Sequence, residues 1–350
     1  MKIFAILSRV PYPLDKGDKL RAYHQLIRLS KEHDVHVVCL DDNKTSQAHI
    51  DTLSKDLNVT VIRTSRLGAG IRLFMGLFGS KPYQVNYFYR PGAHRKVKAM
   101  IAQIKPDHIY CQLIRVAEYV KHEHSIPKTL DYMDAFSKGM ERRVKEAKFP
   151  YKMFYRSEAK RLLAYENLIF EYFEHKTIIS TQDRDLIYHN ERKQIEVVPN
   201  GVDFDFFKPI EKEKKHEVVF TGNMNYAPNV DSAVFLVKMI LPLVHKQIPN
   251  AHFLIAGANP APNVQELASK DVTVTGWVDD IRDSYASSKV MVAAMNIGTG
   301  LQNKLLEAMA MGIPCVTSAL ANNALAGTHN YNILIADGEQ AFADHIVALL

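Results

Sequence analysis

Short apolar runs of strand length alternate with amphipathic helical runs along this chain, and the alternation starts twice. The first series predicts strands over 3–8, 35–40 and 59–63, with helices over about 20–31 and 47–57 between them. It continues with strands at 108–111 and 128–131, a long polar helical region over 137–173, and a strand at 176–180. The second begins at 217–221 and runs through a helix at 230–247 and strands at 252–256, 272–275, 290–295, 315–317 and 333–335. Strands separated by helices call for a parallel sheet covered by helices. Two Rossmann-like halves in tandem follow, and 350 residues suit two domains because single cores stop growing near about 250 to 300 residues. The expected boundaries are 1–196, a linker over 197–215, and 216–350.

Cys39, Cys111 and Cys315 are the only cysteines, each in an expected strand and without paired spacing, so neither disulfides nor a zinc site is called for and a reducing compartment is the default. The apolar run over 2–8 is too short for a signal peptide and gives way at once to charged residues. No run approaches the roughly 18 apolar residues of a membrane span. A net charge of +6 favours anionic partners without choosing among them. The histidines lack metal-ligand spacing, and Gly257-Ala258-Asn259-Pro260 lacks the dinucleotide spacing, so no metal and no cofactor is expected. Asp183-Arg184-Asp185 imitates a metal-binding pair, but after Ser180 it reads as a helix cap.

The segment from Gly298 to Thr317 resists a purely structural explanation. Glycines at 298 and 300 allow a tight turn out of a buried strand, a helix follows over about 302–311, and Gly312 with Pro314 ends it. Lys304 then sits in the first helical turn, where the macrodipole is positive and a cation is disfavoured by several tenths of a kcal/mol. A bound anion would remove the conflict, and Glu307 shares the same helical face. The competing reading is an exposed Lys304–Glu307 pair worth about a few tenths of a kcal/mol.

The run Glu307-Ala308-Met309-Ala310 with Gly312, Ile313 and Pro314 resembles the nucleotide-sugar site of retaining GT-B glycosyltransferases of the family 4 (glycosyl transferases group 1) type. Val198-Pro199-Asn200-Gly201-Val202-Asp203 is similar to that family's interdomain signature, and Gly276-Trp277-Val278-Asp279 to the stretch before its sugar loop. Val218 to Gly222 resembles the first strand of its second domain, and Pro11-Tyr12-Pro13 with Lys16-Gly17-Asp18 and Arg21 resembles its first-strand loop. Gly222-Asn223-Met224-Asn225-Tyr226, Asn259 to Pro262 and Gln302-Asn303-Lys304 come nearest to transferases of bacterial exopolysaccharide systems.

The resemblance implies an α/β GT-B fold, two Rossmann-like domains facing each other across a cleft. It implies that Glu307 accepts hydrogen bonds from ribose hydroxyls, and that Lys304 and the turn Gly300, Leu301, Gln302 and Asn303 neutralise a diphosphate. It places Gly17, Asn223, Val278 and Thr299 at the donor as well. For Gly17 an ordinary turn before a helix competes. Two departures stand out. Thr299 occupies the place of the family's first acidic residue, and Asn223 to Asn229 replaces its basic pair. The family's histidine after the fifth strand is also absent, leaving Asp134 as the candidate to take the acceptor's proton, with capping of the next helix as the alternative. The chain stops in the helical segment 341–350, where family members normally continue with further helices.

Two stretches break the expectation of a polar surface. Residues 66–80 are apolar but carry Arg72 beside Phe74, followed by Arg90 and Arg95, and residues 138–161 interleave nine basic residues with Phe149, Tyr151, Phe154 and Tyr155. Such surfaces suit an acceptor or an anionic membrane, each basic residue contributing about 1 kcal/mol near the lipid. Packing on the same domain and pairing with Glu141, Glu146 and Glu158 are the alternatives. No nucleic-acid motif accompanies the charge. The reading is a cytoplasmic enzyme, peripheral on the inner face of the membrane, that needs no metal and moves a sugar from a nucleotide diphosphate donor to a glycan or lipid-linked acceptor. A catalytically weak subunit that binds a donor or a partner enzyme is the alternative, and an epimerase on the same fold is disfavoured by the Glu-Ala-Met-Ala context.

Overall fold

The computed structural model describes residues 1–42, 45–77, 79–297 and 300–350. The chain divides into two compact units, Met1–Pro199 and Asn200–Leu350.

The first unit holds seven strands: β1 (Lys2–Leu7), β2 (Asp34–Asp41), β3 (Asn58–Arg63), β4 (His108–Gln112), β5 (Lys128–Asp131), β6 (His175–Ile178) and β7 (Glu196–Val197). They form one parallel sheet in the order β3-β2-β1-β4-β5-β6-β7. Alternate residues feed separate cores on its two faces. Phe4 and Ile6 of β1 join Val38, Ile109 and Leu130 on one side, while Ile3, Ala5 and Leu7 join Val37, Cys39 and Leu26 on the other. Burial of both faces is why these strands read as continuous apolar runs. The terminal strand β7 was not expected from the sequence, since two residues carry no periodicity; it brings residues 196–197 into the first sheet.

The polar region expected as one helical stretch is two helices, Phe136–Glu146 and Tyr151–Phe170, parted at Pro150. Its acidic residues are not all solvent partners of the lysines. Glu141 does pair with Lys138 at 2.8 Å, but Glu158 is buried and accepts from the amides of Tyr83 and Gln84, capping the helix Tyr83–Phe88. Glu166 is likewise buried, held by the amide and hydroxyl of Ser137, and burial pushes its carboxyl up to about 7.

At the end of β5, Asp131 organises the carboxyl edge of this sheet. It accepts from the Arg21 Nε at 2.7 Å, the Tyr110 hydroxyl at 3.0 Å and the Thr177 hydroxyl at 3.1 Å, all without access to water for the carboxylate itself.

The second unit holds β8 (His216–Thr221), β9 (Phe253–Ala256), β10 (Val272–Val274), β11 (Ser288–Ala293), β12 (Cys315–Ser318) and β13 (Leu334–Ala336), parallel, in the order β10-β9-β8-β11-β12-β13. A continuous helical run from Ala227 to His245 covers this sheet. The expectation that nothing is apolar enough to span a membrane is corrected here: by length and composition this helix qualifies, with a mean hydropathy of 1.5 over its 18-residue window. Its apolarity has a packing cause, because Ala233, Leu236, Ile240 and Val244 are fully buried in the domain core.

Both sheets reverse direction of growth once, at β1/β4 and at β8/β11. In open parallel sheets such switch points leave a crevice at the strand carboxyl ends where ligands bind. Replacing Asp131 with Ala leaves the buried Arg21 guanidinium uncompensated, so the first domain is expected to lose about 3 to 5 kcal/mol in chemical denaturation. The Arg21→Met/Asp131→Leu double substitution should recover much of that loss.

Candidate functional site

The chain leaves β8 through Gly222 and β9 through Gly257, and the two exits touch. Both glycines have positive φ, +152° and +142°, and a Cβ at 257 would lie 1.8 Å from the Gly222 carbonyl oxygen. Only two glycines permit this approach. The Gly222 amide donates to the Ala256 carbonyl at 3.1 Å and the Met224 amide to the Ala258 carbonyl at 2.8 Å, so the loops run side by side. On its other side Gly222 faces functional groups: a Cβ there would stand 2.6 Å from the Asn229 Nδ2 and 3.2 Å from the Lys304 Nζ.

Lys304 belongs to the helix Asn303–Ala310, which follows β11 and therefore begins at the switch point. Gln302 at the cap position makes no side-chain capping bond. The Lys304 ammonium donates to the Asn229 Oδ1 at 2.7 Å and lies 4.3 Å from the centre of the Phe220 ring. Asn229 is fixed in turn by its Nδ2, which donates to the Asn223 carbonyl at 3.0 Å. The side chain keeps some exposed surface along its length, but its charged end is enclosed, and burial pushes its pKa down to about 7 against the opposing pull of Glu307. Glu307 accepts from the Tyr285 hydroxyl at 2.8 Å, and that hydroxyl also lies 2.8 Å from the Thr221 Oγ1. Burial raises the Glu307 pKa, with the Tyr285 bond and Lys304 acting the other way.

The alternative of an exposed Lys304–Glu307 pair is thereby corrected. Among the described residues the two make no ion pair; each is held by a neutral partner, which leaves the ammonium's charge without a carboxylate bonded to it. A cation on the first turn of a helix, beside free amides, attracts a phosphate. Glu307, with Oε2 engaged and Oε1 without a hydrogen bond among the described residues, can accept from a vicinal diol.

The remaining donor-side residues are placed unequally. Gly300 is exposed with nothing near its Cα face, Gln302 donates to the Gly300 carbonyl at 2.9 Å, and Asn303 accepts from Asn200 at 3.2 Å; Leu301 is half-buried between them. Asn223 turns its Oδ1 to the amide of Asn225 at 3.1 Å, so its side chain closes a turn and only its backbone reaches the Asn229–Lys304 pair. Val278 is half-buried next to exposed Trp277. Thr299, with Gly298, lies outside the described residues. Asn229, Phe220, Tyr285 and Thr221 hold the site and were not singled out from the sequence for it, because they come from three different elements and none carries a charge.

In the first domain Gly17 opens the helix Gly17–Ser30 with no neighbour within 4 Å of a Cβ placed on it. Asp134 does not cap the next helix: Ala135 holds the cap position and no side chain caps there. Crowding by the surrounding protein, then Asp183, push the Asp134 pKa up, while its exposed side chain keeps water close and limits the shift. Asp183 behaves as the capping reading requires, with its amide donating to the Ser180 Oγ at 3.0 Å. Arg72 lies 5.7 Å over the Tyr89 ring, Phe74 is exposed, Arg90 donates to the carbonyls of Tyr87 and Tyr89, and Arg95 is exposed. Among the described residues no three His, Cys, Asp or Glu side chains are grouped as a metal ion needs.

Residues 215–350 match the family model described as glycosyl transferases group 1. The second domain is a glycosyl transferases group 1 domain. The chain is 23% identical to an uncharacterized 44.6 kDa protein in the cps region of Klebsiella pneumoniae, over 99% of this chain and 90% of that one. It is 26% identical to the Escherichia coli UDP-Gal:alpha-D-GlcNAc-diphosphoundecaprenol alpha-1,3-galactosyltransferase, over 37% of this chain and 38% of that one. Among solved structures, Anabaena HepE in complex with UDP-glucose superposes with a TM-score of 0.67 at 14% identity, covering 99% of this chain and 89% of that one. The fold is the two-domain GT-B fold, and the chain is a nucleotide-sugar-dependent glycosyltransferase.

Two glycine substitutions test the loop contact and the site beside it. Gly257→Ala drives a methyl into the Gly222 carbonyl and is expected to lower the second domain's melting temperature by several degrees. Gly222→Ala is also strained at its φ of +152°, but it meets the ends of Asn229 and Lys304 rather than backbone, and is expected to weaken nucleoside diphosphate binding in calorimetry by about tenfold or more.

Proposed function

We propose that the chain is a retaining, metal-independent transferase that moves a hexose from a UDP-sugar to a glycan or lipid-linked acceptor during bacterial polysaccharide synthesis. The observation that carries this reading is the enclosed Lys304 ammonium, bonded to a neutral amide oxygen at the start of a helix, with Glu307 one turn further along the same face. The helix start and Lys304 neutralise the departing diphosphate, so charge compensation comes from the protein rather than from a metal. Glu307 takes the ribose hydroxyls. Asp134 takes the acceptor's proton, a role that suits an exposed carboxylate whose pKa is shifted upward. Uridine as the base draws support from the donors named for the Escherichia coli and Anabaena relatives, and retention from the family resemblance.

The first domain offers a membrane-facing surface. Phe74, Met75 and Leu77 are exposed at the end of the helix Arg66–Gly76, and Phe149, Tyr151 and Met153 at the start of the helix Tyr151–Phe170. Arg161 ties the two segments together, donating to the carbonyls of Gly76 and Leu77 while stacking 4.4 Å from the Tyr83 ring. Exposed Lys145, Lys148, Lys152, Arg156 and Lys160 flank them. Exposed aromatics ringed by lysines suit the headgroup region of an anionic bilayer. In this reading the enzyme works on the cytoplasmic face of the membrane.

Several measurements test the assignment. UDP is expected to bind with uptake of up to about one proton near pH 8, because the phosphates favour the charged form of a lysine whose free pKa is near 7. Calorimetry in buffers of different ionisation enthalpy reads that uptake, and Lys304→Met should abolish it while weakening binding. Glu307→Gln should weaken UDP by about tenfold to a hundredfold and deoxy-UDP far less. Unchanged turnover of every sugar nucleotide in Lys304→Met and Glu307→Gln sinks the site. For the acceptor side, Asp134→Asn should lower kcat by about 100-fold with UDP affinity preserved. For the membrane, the protein should co-sediment with phosphatidylglycerol vesicles at low salt, and Phe149→Ser/Tyr151→Ser/Met153→Ser should not.

A further inference from the structure

A cavity of about 670 Å³ opens in the first domain beyond the carboxyl end of β3, away from the β1/β4 switch point. Four cationic residues line it: Arg63, Arg90, Arg95 and Lys96. Their charges are compensated very unevenly. Arg63 is spoken for, since its guanidinium pairs with Asp41 and donates to the Thr45 carbonyl. Arg90 donates its Nη1 to the carbonyls of Tyr87 and Tyr89, yet its Nε is buried and has no hydrogen-bond partner among the described residues. Arg95 and Lys96 are exposed and form no ion pair among the described residues. Asp42 is the acidic group nearest to Arg90 in effect, offset by Arg72, and it already receives the Tyr87 hydroxyl.

The backbone adds to this excess of positive charge. Pro91, Gly92 and Ala93, which also line the cavity, are the first residues of the helix Pro91–Ile104. That helix has no side-chain cap and no acidic residue in its first turn, and Arg95 and Lys96 follow in its second turn. The uncapped helix start presents the positive end of the macrodipole, which adds to the nearby cations in favouring a polyvalent anion. No Cβ at Gly92 would meet anything within 4 Å, so the approach to the amides of residues 92 and 93 is open. Across the cavity Ser65 is already committed to the Gly68 amide as a cap, which leaves the arginines, the lysine and the helix start as the recognition groups.

We infer that this cavity is a second anion site, separate from the donor site on the other domain, that takes a phosphate ester of about the size of a sugar phosphate. Tetrahedral oxygens match a guanidinium edge on one side and a pair of helix-start amides on the other, and the volume exceeds that of phosphate alone. The phosphate can come from a soluble sugar phosphate or from a lipid headgroup, and the chemistry of recognition is the same.

The test uses the full chain, with glucose 1-phosphate, inorganic phosphate and glucose as soluble probes in calorimetry, and phosphatidic acid vesicles as the lipid probe. Glucose 1-phosphate should bind, glucose should not, and Arg95→Gln/Lys96→Gln should weaken the sugar phosphate by at least tenfold. Both positions are exposed, so the fold should survive, and an unchanged UDP isotherm will establish that it has. Loss of the soluble probe with vesicle binding kept assigns a soluble source; loss of both assigns a headgroup. The inference is overturned if no phosphate-bearing probe binds, if the double variant binds all of them as well as the parent, or if Lys304→Met removes the sugar-phosphate isotherm, which would place that binding at the donor site.

Discussion

A lysine ammonium enclosed at the mouth of a parallel sheet and bonded to an amide oxygen, with no carboxylate, is the arrangement on which the second domain's chemistry depends. Had Lys304 paired with Glu307, three residues away on the same helical face, each would have cancelled the other and neither would have been available to a ligand. Tyr285 prevents this by engaging Glu307, and Asn229 prevents it by engaging Lys304. The enclosure costs folding stability, since desolvation disfavours the charged form. Between a pKa near 7 in the folded chain and the ordinary lysine value when unfolded, the unfolded state binds the extra proton, so this group's contribution to stability rises with pH through that window. Such a cost is retained where charge is needed on demand.

The close contact of Gly222 and Gly257 makes that enclosure geometrically feasible. It brings the exits of β8 and β9 together and lets Asn229 reach across to the helix that follows β11. The equivalent edge of the first sheet is built on the opposite plan. Asp131 with Arg21, and Asp18 with Arg9, compensate charge within the protein, and Met133 and Leu113 hold left-handed backbone at the ends of β5 and β4. Backbone held there in non-glycine residues is over-determined by its surroundings, as functional edges commonly are. Among the described residues, cations of this domain that form no ion pair stand elsewhere, Arg95 and Lys96 on the helix Pro91–Ile104 and Lys145, Lys148 and Lys152 after Ala135.

The sequence made the strands legible because a parallel sheet buries both faces, so each strand is an unbroken apolar run between polar helices. Lys304 and Glu307 were legible because a cation in the first turn contradicts the dipole and so demands a reason. Their partners were not, since Phe220, Asn229 and Tyr285 are ordinary residues on three elements, and only the fold makes them neighbours. The helices over residues 66–104 were equally hidden: the stretch stood out in the sequence for its apolar and basic surface, although Ala93, Val97 and Ile101 fall on one buried face of the helix Pro91–Ile104. Glu158 and Glu166 were obscured for a further reason. Glu158 sits in a run of lysines and arginines that suggests solvated pairing, and Glu166 further along the same helix among mostly apolar neighbours, yet each turns inward to cap another helix, and a charge's sequence neighbours say little about which helix start it will satisfy.

The two cation groups also differ in how the solvent acts on them, which bears on what each can recognise. Around Lys304 low-dielectric protein surrounds the charge, so its attraction for an anion is strong at short range and little screened by salt. Arg95 and Lys96 stand in water at the rim of their cavity, where an exposed charge pair contributes little and is weakened further at physiological ionic strength. A monovalent anion gains too little there to stay. Only a ligand that spans Arg95, Lys96, the buried edge of Arg90 and the helix start together can add enough such contacts, and that favours a doubly charged ester with a bulky substituent over a simple ion.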